Sequence, residues 1–205
     1  MNRFDEAAKT WDKRQVSIES SDACVQDLLK IVQLKNDANI LDYGCGTGFI
    51  AFALKNETNN VTGMDYSDGM IDVFNEKAAR FELDNIKAIK HNMNEEKLPS
   101  STYDLIISSK TMHHIKDTNM FFQKSYDALK NDGILCINDL DKEDGSFHKD
   151  KGNDGVEHFG YEKEDLLTIA KSIGFKIVSY DIVYNQEKNK QIYPLFNLIV
   201  KKEIR

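Results

Sequence analysis

Asn39-Ile40-Leu41-Asp42-Tyr43-Gly44-Cys45-Gly46-Thr47-Gly48 is the stretch that decides the fold. Asn39 to Tyr43 reads as a short buried strand, the glycines as a turn, and the apolar run from about Phe49 to Lys55 as a helix. Three glycines at alternate positions remove side chains from a turn at the carboxyl end of a strand, so a ligand can approach the backbone amides closely. The helix that follows points its first N–H groups into the same space, which favours an anionic group there. The dinucleotide pattern requires a further glycine where Phe49 stands, so a pyrophosphate is not the best match. Asp65 closes the next apolar run, Val61 to Asp65, about twenty residues on, where a carboxylate accepts hydrogen bonds from ribose hydroxyls. Turn and acid together indicate a nucleoside-containing ligand and leave its identity open.

Outward from this segment the chain alternates strand and helix. A helix is expected through Met70, Ile71, Val73, Phe74 and Ala78, strands at Ile86–Ile89 and Tyr103–Ser108, and a helix from about Asp117 to Lys130. Asn131-Asp132-Gly133 then leads into a strand from Ile134 to Leu140, and a helix spans about Lys163 to Ile173. Strands near Lys176–Tyr184 and Leu195–Lys201 end the pattern. Several strands are apolar at nearly every position, the mark of a sheet covered on both faces, so the fold class is doubly wound α/β. The last two strands are joined through Tyr184 to Asn189, too short for a helical crossover, and should form an antiparallel hairpin. Upstream, Val25, Leu28, Leu29 and Val32 have helical spacing, whereas Phe4 to Arg14 reads equally as a short helix or as loose chain. The polar, glycine-containing stretch from about 141 to 160 has the length of a lid or binding loop.

The chain has 205 residues, the size of one domain, here taken as 1–205 with a helical cap over about 1–37 and an active-site loop over about 141–160. Thirty-four acidic against 27 basic residues leave a net charge of −7, which argues against a general nucleic-acid binder. No apolar run approaches the roughly 18–20 residues that cross a bilayer, and Met1 to Glu6 lacks the apolar core of a signal peptide. Cys24, Cys45 and Cys136 are too widely spaced for a disulfide framework or a zinc motif. A reduced, cytoplasmic protein with no membrane partner is expected.

Leu41 to Gly48 resembles motif I of the class I S-adenosylmethionine-dependent methyltransferases. The resemblance extends through Gly63-Met64-Asp65-Tyr66-Ser67, Lys97-Leu98-Pro99, Tyr103 to Ser109 and Met112-His113-His114-Ile115. It continues upstream to Phe4-Asp5-Glu6-Ala7-Ala8 with Thr10-Trp11-Asp12, and downstream to Lys130 to Leu135. It resembles the small-molecule type of this family (types 11 and 12). It implies a Rossmann-like seven-stranded sheet in the order 3-2-1-4-5-7-6, strand 7 antiparallel, with helices on both faces. It implies S-adenosylmethionine as the cofactor. Gly44, Cys45 and Gly46 would then pass beneath the methionine and ribose, with Asp42 near the methionine ammonium and Asp65 on both ribose hydroxyls. Tyr66 and Met70 would flank the adenine. Many relatives hold the adenine amino group with an Asp after the third strand; here Asn92, with Met93 beside it, stands at that place, and its amide oxygen accepts without charge. Ser108 or Ser109 would lie nearest the methionine chain.

A sulfonium already activates its methyl group, so the reaction implied is in-line displacement onto a small-molecule acceptor placed on the S–CH3 axis. An acceptor with a tightly held proton also needs a base, and His114, His148 and His158 are candidates together with His113. His113 and His114 are adjacent, and adjacent side chains on a helix point apart, so no metal ligands are assigned. Trp11 is either a core anchor or part of a cap over the cofactor. Cys45 is read as a small filler in the turn rather than a nucleophile. Two other functions fit parts of the pattern: a non-catalytic protein that holds the cofactor or its demethylated product, and an NAD-dependent oxidoreductase.

Overall fold

The computed structural model describes residues 3–58, 60–149 and 152–203. Met1, Asn2, Asp150 and Lys151, which fall within the expected cap and loop, lie outside them. The elements are α1 (Arg3–Trp11), α2 (Gln15–Ile31), β1 (Asn39–Tyr43), α3 (Phe49–Ala53), β2 (Asn60–Asp65), α4 (Asp68–Arg80) and β3 (Ile86–Lys90). There follow β4 (Tyr103–Ser109), a 3-10 turn (Met112–His114), α5 (Thr118–Ala128), β5 (Leu129–Leu140), α6 (Lys163–Ile173), β6 (Phe175–Lys188) and β7 (Gln191–Lys202). Among the described residues no helix is long and apolar enough to cross a membrane.

The seven strands form one sheet in the order β3-β2-β1-β4-β5-β7-β6. β1 to β5 are parallel to their neighbours, and β7 runs antiparallel to both β5 and β6. The order reverses at β1 and β4, so the chain leaves the carboxyl ends of these two strands in opposite directions and opens a crevice between them. The central strands are buried on both faces: Leu105, Ile106 and Ile107 are all inaccessible. One face packs Leu41, Ile106, Phe121, Phe122, Leu135 and Phe196 with α5 and α6, and the other packs Ile40, Leu105, Ile107, Phe74 and Leu28 with α2, α3 and α4.

Local chemistry explains the boundaries. Ser67 caps α4 by accepting the Met70 N–H at 3.2 Å, and Asp117 caps α5 by accepting that of Met120 at 3.0 Å. Gly174 ends α6 in the left-handed conformation. Three expectations need correction. Of the two readings of the N-terminal segment the helix holds, from Arg3 to Trp11, but the next helix begins at Gln15 rather than near Val25. Helix α5 ends at Ala128, and Leu129 already pairs with Tyr103, so β5 starts earlier than Ile134 and passes a register shift before its main pairing. The hairpin turns at Asn189-Lys190, not over Tyr184 to Asn189, because both turn residues adopt positive φ and let Lys188 pair with Gln191.

Phe121 joins the packing layer to the site: it is fully buried, and its ring meets that of Tyr43 edge-on at 6.1 Å. Phe121→Ala should lower unfolding stability by about 3–5 kcal/mol, seen as a fall in the urea midpoint at unchanged slope. A loss below about 1 kcal/mol would show that this layer collapses to fill the space.

Candidate active site

A cavity of about 1040 Å3 opens over the carboxyl ends of β1, β2 and β4, at the upper end of the range for ligand pockets. Its floor is the turn after β1. The turn is tight because Gly44 has φ +72° and a Cβ there would lie 2.1 Å from the Thr111 side chain, whose hydroxyl is 3.2 Å from the Gly44 carbonyl. Gly46 differs: a Cβ there would meet nothing nearer than Trp11 and Met70 at 3.8 and 3.9 Å, so its bare backbone faces open cavity. Cys45 is buried, and a Cβ at Gly63 would sit 2.8 Å from its sulfur. Burial, then Asp42 and Asp65, push its thiol pKa well up, as expected of a filler rather than a nucleophile.

Two carboxylates flank the turn. Asp65 accepts the Gly46 N–H at 2.9 Å through Oδ2 and the Ser67 N–H at 2.9 Å through Oδ1, which ties the tip of β2 to the turn. A carboxylate has about four acceptor sites, so these bonds leave capacity for a ligand. Burial raises its pKa against these bonds. Asp42, 1% exposed, accepts the Ala51 N–H of α3 at 3.1 Å. Burial pushes it up to about 7, with Asp65 adding repulsion. Tyr66, Met70 and Asn92 line the same side of the cavity over β2.

Helix α1 forms a wall. Asp5 Oδ1 accepts from Ser67 Oγ at 2.6 Å and from the Gly69 N–H at 3.1 Å, at the start of α4. Beyond the helix, Asp12 pairs with Lys77 at 2.8 Å, and the same ammonium donates to the Thr47 carbonyl at 2.7 Å. Phe4 then stands edge-on to Tyr66 at 5.9 Å and to His114 at 5.5 Å. Trp11 lines the cavity under the Arg14 guanidinium, 3.8 Å from its ring, so of its two readings the geometry favours the wall.

On the β4 and β5 side the 3-10 turn sets the rings of His113 and His114 with centroids 4.0 Å apart. This corrects the inference that adjacent histidines point apart, which holds on an α-helix but not on this tighter turn. His148, from the segment after β5, reaches His113 with Nε2 to Nε2 at 3.3 Å. His113 Nδ1 lies 2.7 Å from Oδ1 of the fully buried Asp139 at the end of β5. Burial alone would raise the Asp139 pKa, but His113 and the N–H groups of Leu140 and His113 hold it below the ordinary carboxylate range. Burial and then His113 push His114 down to about 3, leaving that ring neutral.

Most expected site residues line the cavity: Trp11, Asp42, Gly44, Cys45, Gly46, Asp65, Tyr66, Met70, Asn92, Ser109, His114 and His148. Three do not. Met93 is buried and donates its N–H to Tyr43 Oη at 2.7 Å, Ser108 is buried within the sheet, and His158 Nε2 turns to the Ile115 carbonyl at 3.0 Å. Sequence reasoning missed Lys110, which lines the cavity with its amine 2.6 Å from Ser20 Oγ and its pKa pushed down to about 8 by burial. It also missed Gln186, Glu187 and Lys188, carried to the cavity by the longer hairpin.

A family model described as a methyltransferase domain matches residues 34–197. The chain belongs to this methyltransferase family. Its fold is that of the class I S-adenosylmethionine-dependent methyltransferases. An uncharacterized methyltransferase of Schizosaccharomyces pombe is 30% identical over 151 residues, 67% of this chain and 53% of the relative. A demethylmenaquinone methyltransferase of Listeria monocytogenes is 28% identical over 116 residues, 55% of this chain and 49% of the relative. The chain thus spans about half the length of these curated relatives. Phosphoethanolamine N-methyltransferase 2 of Haemonchus contortus, solved with S-adenosyl-L-methionine, superposes with a TM-score of 0.72 at 18% identity, over 88% of this chain and 52% of that one.

The buried acid at the end of β1 gives the methyltransferase domain a pH signature. Folding raises the Asp42 pKa from near 3.8 to about 7, so its contribution to stability is full below the unfolded value and is lost as pH rises through about 7. Asp42→Asn keeps an acceptor for the Ala51 N–H and removes the charge. The ligand-free variant should gain on the wild type by roughly 1–3 kcal/mol as pH goes from about 5 to about 8 in denaturant unfolding. A difference that stays flat over that interval would contradict the assignment.

Proposed function

We propose that this chain transfers a methyl group from S-adenosylmethionine to a small-molecule acceptor. One observation carries the reading: a single cavity is lined over β2 by Asp65 and the amide-rich turn, and over β4 by imidazoles. The first side suits a nucleoside and the second a group to be alkylated. In this reading Asp65 accepts the two ribose hydroxyls, Tyr66 and Met70 flank the adenine, and Asn92 accepts from its amino group. Asp42 faces the methionine ammonium, and a cation there offsets the cost of holding that carboxylate ionised. Lys110 and Arg14 offer the cofactor's carboxylate a positive partner. Ser109 borders the methionine chain, while Met93, Ser108 and His158 have no contact with the ligand.

S-adenosylmethionine, when bound, would supply a methyl group already activated on a sulfonium, whose transfer disperses charge and is favoured in a dry site. Phe4 and Trp11 would exclude water from above, and the turn after β1 would form the floor beneath the cofactor. His114 and His148 would border the acceptor atom, held on the far side of the methyl group from the sulfur. Relatives named as acting on demethylmenaquinone, and as a tetrahydroprotoberberine N-methyltransferase, support a small-molecule acceptor.

Calorimetric titration should give micromolar-range binding of S-adenosylmethionine and its demethylated product, and none of NAD. Asp65→Ala should weaken both by about 1–3 kcal/mol through lost charge-assisted hydrogen bonds. Preference for NAD, or unchanged affinity in Asp65→Ala, would overturn the assignment. Incubation with methyl-labelled cofactor and a metabolite extract separates an enzyme, which labels a small molecule, from a protein that only holds the cofactor.

A further inference from the structure

We propose that His113, His114 and His148 form a mononuclear site for a divalent transition-metal ion of the zinc class, with its open coordination position facing the cavity. One ring nitrogen from each residue lies within 4.8 Å of the other two, and Nε2 of His113 and Nε2 of His148 are 3.3 Å apart. Two nitrogens bound to one zinc ion at about 2.0–2.1 Å and a tetrahedral angle stand roughly 3.3–3.4 Å apart. The pair therefore already has the spacing of two ligands. Closing the third ring onto the ion takes a movement of no more than about 1.5 Å, within reach of small side-chain torsions.

The outer partners argue the same way. Asp139 Oδ1 takes the Nδ1 side of His113, which leaves Nε2 with its lone pair directed at His148. The Gly155 carbonyl can only accept, so Nδ1 of His114, 2.5 Å away, is that ring's N–H and Nε2 is its bare nitrogen. A carboxylate behind one imidazole and a backbone carbonyl behind another are the arrangements that orient histidines toward a metal and fix their tautomers. Three imidazoles suit zinc, copper, nickel or iron rather than magnesium or calcium. Three protein ligands leave a fourth position, and all three rings line the cavity. Resting on the methyl-transfer reading, that position would take the acceptor's own thiol or hydroxyl, whose proton passes to water because the ion lowers its pKa.

The test uses the whole chain, freed of metal with a chelator and dialysed, then titrated with Co2+ and displaced by Zn2+. The expected result is one equivalent bound, with the intense visible absorption of four-coordinate cobalt. His148→Ala, in the segment outside the sheet, should weaken binding at least tenfold, and Asp139→Asn, acting through His113, about 10–100-fold. Circular dichroism of both variants checks that the sheet is intact. Binding weaker than millimolar, or binding that His148→Ala leaves unchanged, would overturn the site and leave the His113–His148 contact as a hydrogen bond alone. S-adenosylmethionine affinity is measured on the same metal-free wild-type protein. Cofactor binding without metal binding sinks this inference only, and metal binding without cofactor binding sinks the reading it rests on.

Discussion

Negative charge buried at the carboxyl edge of the sheet is the constraint around which the site is arranged. Asp42, Asp65 and Asp139 end or nearly end β1, β2 and β5, and all three are at most 9% exposed. Burying a carboxylate is costly unless it is hydrogen-bonded, and each of the three accepts backbone N–H groups: from Ala51, from Gly46 and Ser67, and from His113 and Leu140. These bonds in turn hold the turn after β1 against β2, seat α3 on β1, and fix the 3-10 turn beside β5. The acids thus organise the loops before any ligand arrives. Two of them, Asp42 and Asp65, also repel each other, and that repulsion is relieved by a ligand that brings positive charge and hydroxyl donors together.

Much of this was legible because it depends on local signals. The glycines at 44, 46 and 48, the apolar runs around them and Asp65 at the end of its strand carry their meaning in a few consecutive residues, and the alternation of strand and helix follows from hydrophobic spacing alone. The antiparallel last strand followed from a connection too short to cross over. The turn of that hairpin was misplaced because Asn189-Lys190 lacks the glycine that usually marks a two-residue turn. As a result Gln186, Glu187 and Lys188 went unnoticed, since nothing in their own neighbourhood announces that a lengthened hairpin reaches the cavity.

The histidine cluster was illegible for a different reason. His113 and His114 are adjacent, but the expected helical geometry separates them, and the 3-10 turn that brings them together is braced by Asp139, 26 positions away, which accepts the His113 N–H. His148 joins them only through the path of the segment after β5. That path depends on contacts such as Phe147 packing with Leu140, Tyr193 and Leu195, and the Glu157 N–H donating to the His113 carbonyl at 2.9 Å. Lys110 is hidden similarly: a lysine at a strand end reads as surface until α2 brings Ser20 onto its amine.

Helix α1 carries the chain's single tryptophan. Its emission therefore reports only on whether that wall is in place, while far-ultraviolet ellipticity reports chiefly on the sheet and the helices packed against it. Melting curves from the two optical signals need not coincide, because α1 is tied down by polar contacts from Asp5 within it and from Asp12 just beyond it, outside the apolar layers. Any gap between them would reveal, without added dye, a state in which the vestibule is open and the sheet still folded.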